Sequence, residues 1–346
     1  MQDGCLHFIY ESGYCASMST QLPGAAVPYV QAAGTGRAHL LLGQVARTMV
    51  GAEETGGLLS YMAACGPAGR PIPLHHHDVE LEVFLCTRGR VQLWAGEESR
   101  VLSPGDVGVV PAGTLHAYQF HSTFSEFVGP ITPGGWDRFF DLTGTPYDGP
   151  AFPAHDPSPP PFAKFGQAEQ QFKMKYFPEA PYAEPTLDAA DDALPGAPVP
   201  YFLRAGAGPR HLLGGLLFTD LVTSAESDGT LSMAMVQGSF GPPLPLHVHA
   251  RTHETIQVLD GKLRVWLDGE ERVLTRGDVA SIPASVPHTY AFESATASAV
   301  VTNAPGGLER LIALAGTPTE DSIFPAQAPG FPDLAEAAAE LDVELV

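Results

Sequence analysis

Short runs in which apolar and polar residues alternate recur along the whole chain. Val91-Gln92-Leu93-Trp94 and Ile256-Gln257-Val258-Leu259 are examples, and Gly, Pro or Asp bounds such runs. A period of two places every second side chain on one face, so the pattern predicts half-buried antiparallel strands and an all-β fold. Ala95-Gly96 and Asp268-Gly269 lie between consecutive runs, where a tight hairpin needs residues tolerant of positive φ. Helical periodicity is scarce. Its clearest stretch, Asp333 to Leu341, is rich in Ala and Glu and follows Pro332, which predicts a short C-terminal helix.

The chain also matches itself at an offset of 172 residues, without insertion over about 120 positions. Pro28-Tyr29 meets Pro200-Tyr201, His39-Leu40-Leu41 meets His211-Leu212-Leu213, and Gly144-Thr145-Pro146 meets Gly316-Thr317-Pro318. A period this long means two whole domains rather than a solenoid. The expected domains span residues 28–160 and 200–346, the second carrying the helix. Residues 161–199 are expected to be a linker, flanked by the proline run Pro157 to Pro161 and containing an acidic, loop-like stretch from Ala189. Residues 1–27 read as a loose, disordered arm outside the repeat, with Met18 as a second candidate start.

Composition narrows the function classes. With 346 residues, 44% hydrophobic and 16% charged, the chain can bury a sizeable core. Acidic residues outnumber basic ones 39 to 18, and a net charge of −21 repels a phosphate backbone or an anionic membrane. Neither nucleic acid nor a membrane is an expected partner. No apolar run is long enough to span a bilayer, and no basic cluster precedes an apolar run at the N-terminus, so a cytoplasmic location is expected. Cys5, Cys15, Cys65 and Cys86 follow no metal or disulfide spacing and are expected to be free thiols.

The chemistry lies in a motif that occurs twice. The first copy reads Gly69-x5-His75-x-His77-x4-Glu82-x6-Gly89, then Gly105-x5-Pro111-x-Gly113-x2-His116. The second has Gly241, His247, His249, Glu254, Gly261, Gly277, Pro283 and His288 at the matching positions, and only Gly113 changes, to Ser285. Residues two apart on a strand share a face, so His75 and His77 can both point inward while His76 points away. Three imidazoles and a carboxylate suit a divalent first-row metal and leave positions open for substrate, water or O2. The candidate ligands are His75, His77, Glu82 and His116 in one set, and His247, His249, Glu254 and His288 in the other. His253 has the wrong parity for a ligand and is left as a candidate donor to one. His39 and His211 recur without any metal-like context, which favours packing or hydrogen bonding.

These motif pairs resemble those of the cupin superfamily, and two copies make a bicupin. The openings Pro28-Tyr29-Val30 and Pro200-Tyr201-Phe202, with Gly144-Thr145-Pro146-Tyr147, Ile323-Phe324-Pro325 and Leu341-Asp342-Val343, are similar to bacterial bicupin quercetin 2,3-dioxygenases. The resemblance implies two tandem jelly-roll barrels related by an approximate twofold. It also implies up to two divalent ions per chain, with Fe, Mn, Co, Ni or Cu all open. The implied reaction is flavonol plus O2 giving a depside and carbon monoxide. Glu82, and Glu254 in the second barrel, then serve as the base for the substrate hydroxyl, and Phe84, Tyr118 and Phe120, with Cys86, form an inward set that a flat aromatic substrate could meet. Two alternatives stay open. One is an oxalate decarboxylase or oxidase, which needs a cation such as Arg70 or Arg251 aimed at the second carboxylate. The other is a metal-binding cupin without turnover. Exposed sheet edges leave a homodimer open.

Overall fold

The computed structural model describes residues 21–346 apart from 155, 157, 187, 188, 327–329 and 340. The N-terminal expectations for residues 1–20, including Cys5, Cys15 and Met18, lie outside the described residues. Each half of the chain folds into an eight-stranded and a five-stranded antiparallel sheet facing one another, so the architecture is all-β with two tandem jelly-roll units. In the N-terminal barrel the larger sheet carries Arg37–Leu41, Gln44–Val50, Ser60–Gly66, Ser125–Thr132, Leu81–Arg88 and Val107–Val110. The smaller carries His75–His77, His116–Phe120, Val91–Ala95 and Glu98–Leu102. The expected hairpin turns are present: Asp268 and Gly269 have φ of 49° and 80°, and Gly96 has φ of 64°.

The central strands of the large sheets are buried on both faces, and each barrel has an interior core. Phe84, Val91, Leu93 and Phe120 fill the interior of the N-terminal barrel, and Ile256, Val258, Leu263 and Tyr290 that of the C-terminal one. The opposite faces meet each other: Met49, Leu85 and Val128 share a third cluster with Leu221, Met233 and Val300. The barrels therefore pack large sheet against large sheet.

The pairing is also reciprocal. Tyr29–Gln31, which opens the first repeat, pairs with Val279–Ile282 of the second barrel, and Tyr201–Leu203, which opens the second, pairs with Val107–Val110 of the first. Each opening strand thus completes the other barrel's large sheet, an exchange that a boundary at 28 or 200 does not convey. The symmetry extends further back. Gly24 N–H donates to Glu54 Oε1 at 2.7 Å and Gly196 N–H to Glu226 Oε1 at 2.8 Å, so the described part of the expected arm, residues 21–27, lies against the barrel.

The expected linker at 161–199 is corrected by the structure. Helix Phe162–Gln171 buries Phe165 and Ala168, and strand Met174–Tyr176 pairs with His75–His77, so this segment closes the edge of the small sheet. Helix Ala335–Ala339 and strand Val343–Leu345 do the same for His247–His249 in the second barrel. An unpaired His-x-His edge would leave backbone donors exposed beside the site, which explains why both repeats end in a covering strand.

Candidate metal centres

In each barrel the candidate ligands converge between the two sheets. His75 and His77 come from one short strand, His116 sits directly opposite His75 on the neighbouring strand, and Glu82 comes across from the large sheet. The ring centroids of His75, His77 and His116 lie 4.3–5.1 Å apart, and all three side chains are buried. His76 faces the other way, packing on Phe177 with Nδ1 3.3 Å from an Asp78 oxygen. The loop ahead of the third histidine is tied to the second: Gly113 N–H donates to the His77 carbonyl, and Ser285 N–H to that of His249. Both turn residues have positive φ, 76° at Gly113 and 68° at Ser285, so the second copy holds a side chain in a conformation suited to glycine.

The two sets differ at the carboxylate. His247, His249, Glu254 and His288 present ligand atoms all within 4.8 Å of one another, whereas in the N-terminal set only the three imidazoles do. Glu82 approaches His116 alone, Oε2 to Nε2 at 3.2 Å. Glu254 is held from behind by Asn303, whose Nδ2 donates to Oε2 at 3.2 Å. The residue across from Glu82 at the matching position is Ile131, whose side chain can donate nothing.

Five of the six imidazoles have Nδ1 beside a backbone carbonyl oxygen: His75 on Pro73, His116 on Thr114, His247 on Pro245, His249 on Asp342 and His288 on Val286. Such contacts fix the Nδ1–H tautomer and free Nε2. Burial drives the pKa of His75 and His77 well below the imidazole range and that of His247 to about 4, which keeps these rings neutral. His249 and Glu254 stabilise each other's charged forms, with Glu254 held well below the usual carboxylate range by its neighbouring imidazoles. Nε2 of His77, His116, His249 and His288 and Oε1 of Glu254 are buried without a hydrogen-bond partner. Such a cluster of buried acceptor atoms suits a cation, and the donor set fits a divalent transition ion.

The family model described as "Cupin domain" matches residues 64–126 and 233–303, spanning the motifs of both barrels. A quercetin 2,3-dioxygenase from Bacillus subtilis (strain 168) is 30% identical over 306 residues, covering 88% of this chain and 91% of the relative. The chain belongs to the quercetin 2,3-dioxygenase family of bicupins. A quercetin 2,3-dioxygenase from Aspergillus japonicus is 28% identical over 294 residues, covering 73% of this chain and 81% of the relative. An oxalate decarboxylase structure from Lactobacillus farciminis aligns over 83% of this chain and 89% of its own with a TM-score of 0.54 and 16% identity, a likeness of fold alone. A cupin dioxygenase-type function follows from the family, and cupin dioxygenases bind a transition metal.

The bicupin's two sites open into unlike cavities. The N-terminal one holds about 910 Å³ of atom-free space, part of it open to solvent, and Phe84, Tyr118, Phe127, Trp136, Phe139 and Tyr176 are among its walls. The C-terminal one holds about 580 Å³ and is mainly aliphatic, with Leu213, Leu308, Leu311, Ile312 and Leu345. Of the sequence-expected substrate contacts, Phe84 and Tyr118 line the first cavity. Phe120 does not. It shares the inward face of its strand but is 1% exposed and packs behind Tyr118 and Phe127, so it is barrel core. Cys86 likewise lies in the barrel core.

His253 is bonded to Ser281 Oγ at 3.2 Å rather than to a ligand. His39 and His211 stand outside both clusters, His39 with Nε2 3.4 Å from Asp141. Trp136, Phe139 and Tyr176 escaped the sequence reading because they arrive from the start of helix Asp137–Thr143, from the helix itself and from the covering strand, beyond the two motifs. Trp136 follows Pro133-Gly134-Gly135, one of the stretches shared by both repeats, and that adjacency was the one available signal.

Proposed function

We propose that the bicupin is a dioxygenase that cleaves a flavonol-type substrate with O2 to a depside and carbon monoxide, and that turnover centres on the N-terminal site. The observation that carries the reading is the aromatic cavity whose walls include His75, His116 and Glu82, the carboxylate having no second anchor among the described residues. His75, His77 and His116 would hold the ion, with Glu82 as fourth ligand or as base. A bound divalent ion supplies Lewis acidity at the substrate oxygen and a route for electrons toward O2.

Phe84, Tyr118 and Phe127 pack mutually at centroid distances of 4.8–6.2 Å, a rigid apolar wall against which flat rings can stack. The Tyr118 hydroxyl donates to Gln44 Oε1 at 2.8 Å, which fixes the ring. Glu82 accepts the substrate's hydroxyl proton, and both oxygen atoms of O2 end in the products, one carbon leaving as carbon monoxide. The apolar walls limit the water that could compete for that proton. An oxalate-type reaction would need a cation facing the second carboxylate. Neither Lys nor Arg lines either cavity among the described residues; Arg70 is exposed and Arg251 pairs with Asp342.

The test is reconstitution with single first-row ions without oxygen, followed by aerobic flavonol assay with carbon monoxide trapping. Glu82→Gln should keep most of its metal and lose about two orders of magnitude or more in turnover. Glu254→Gln should lose less. Undiminished flavonol consumption in both variants and in the double variant would exclude the base role, and oxalate turnover without flavonol turnover would overturn the substrate class.

A further inference from the structure

His77 is the exception among the six imidazoles, because neither its Nδ1 nor its Nε2 has a hydrogen-bond partner. Its counterpart His249 finds the Asp342 carbonyl one residue before the covering strand. The matching carbonyl in the first barrel belongs to Lys173, and there it accepts instead from Asp78 N–H at 2.9 Å. Lys173 has φ of 48°, a left-handed conformation at the turn that leads into the covering strand. Nothing on the polar side therefore fixes the His77 ring.

An aromatic ring instead covers the face of the imidazole that lacks the hydrogen bond. The Trp136 ring stacks on His77 with centroids 3.7 Å apart and planes inclined by 27°. Trp136 is itself clamped from behind by Phe139, at 4.7 Å and 5°, and is 4% exposed. The second barrel has Leu308 at the matching position, and there the carbonyl contact to His249 is present. One barrel thus has the carbonyl and no aromatic ring, the other the aromatic ring and no carbonyl.

We infer that Trp136 is the positioning residue for His77, holding by ring stacking the orientation that a backbone carbonyl imposes on the other five imidazoles. Without an acceptor at Nδ1, His77 is a less electron-rich donor and its tautomer is not fixed, so the stack alone keeps Nε2 aimed at the centre. The inference rests on reading the cluster as a metal centre, and its test separates the two.

The full-length chain is titrated with Co²⁺ alone, following heat and the visible cobalt bands, and the two sites are assigned with His75→Ala and His247→Ala. Trp136→Leu, which installs the residue of the second barrel, should weaken the N-terminal site about ten-fold or more and alter its cobalt bands. Trp136→Phe retains a stacking ring and should stay within about three-fold of the parent. The C-terminal site should be unchanged in both and reports on folding. N-terminal affinity and bands unaltered by Trp136→Leu would overturn the inference. So would equal losses in the Phe and Leu variants with the C-terminal site intact. If Trp136→Leu loses both sites, Trp136→Phe decides: retained N-terminal affinity supports the stack, and selective loss refutes it. Failure of the parent to bind Co²⁺ at either site would instead defeat the metal reading.

Discussion

Replacing Ile131 by asparagine would transplant the anchor of the second site into the first. Ile131 sits directly across from Glu82 in the large sheet, as Asn303 sits across from Glu254, and Asn303 Nδ2 lies 3.2 Å from the Glu254 carboxylate. Ile131 is 7% exposed and lines the aromatic cavity, so an amide there would have Glu82 as its nearby charged acceptor. A buried hydrogen bond to a charged group is worth about 1.5–3 kcal/mol. If Glu82 must release that bond to take the substrate proton, the barrier rises by up to this amount, a fall of about 10- to 150-fold in kcat. KM should move less, because the bond is broken after binding. Metal content, measured by elemental analysis, should hold or rise, since the carboxylate is pinned nearer the triad. Flavonol turnover at parental kcat with full metal content would refute the reasoning, because a pinned Glu82 would then serve as well as a free one. Ile131→Val, which adds no donor, controls for the lost methylene.

Further outcomes follow from the same geometry. His75→Ala should remove about one metal equivalent, whereas His76→Ala, whose ring faces Phe177, should keep full occupancy by elemental analysis. Asp220 is 5% exposed, and its burial near Glu309 and Glu226 pushes its carboxyl from 3.8 up to about 7. The unfolded chain releases that proton near pH 4 while the folded one retains it until about 7, so the stability cost grows as pH rises. Asp220→Asn should therefore be more stable than the parent by on the order of 2–4 kcal/mol at pH 8, with the gap closing toward pH 4 in urea melts. In Gly129→Ala a Cβ would lie 1.6 Å from the Val83 carbonyl oxygen, forcing two strands of the large sheet apart. A loss of about 3 kcal/mol or more is expected in the denaturation midpoint, and a loss under about 1 kcal/mol would show that the sheet yields easily.

The all-β class, the duplication and both His-x-His motifs were legible in the residues because each depends on local rules. A period of two dictates a strand, and an offset of 172 residues that preserves motif and turn alike dictates two copies of one domain. The repeat also extends back before residue 28, since Leu22-Pro23-Gly24-Ala25 matches Leu194-Pro195-Gly196-Ala197, and Gly24 and Gly196 make the same bond to Glu54 and Glu226. The helix and the three-residue strand within residues 161–199 were not legible, because they are too short to carry a clear period and take their stability from the edge they cover.

Three features were decided by the tertiary structure alone. Reciprocal exchange of Tyr29–Gln31 and Tyr201–Leu203 depends on which sheet edge lies nearest, and the offset is the same whether strands stay home or cross. Phe120 shares the parity of Tyr118 yet is core, because alternation says which face a side chain takes and not how deep the cavity runs. The two candidate sites carry the same motif, but Asn303 faces one carboxylate, Ile131 the other, and Trp136 stacks against the histidines of the first site only, closest on His77. Those neighbours lie 49 residues from the carboxylates and 59 from the imidazole they adjoin, so only the packing of the tertiary structure brings them into contact.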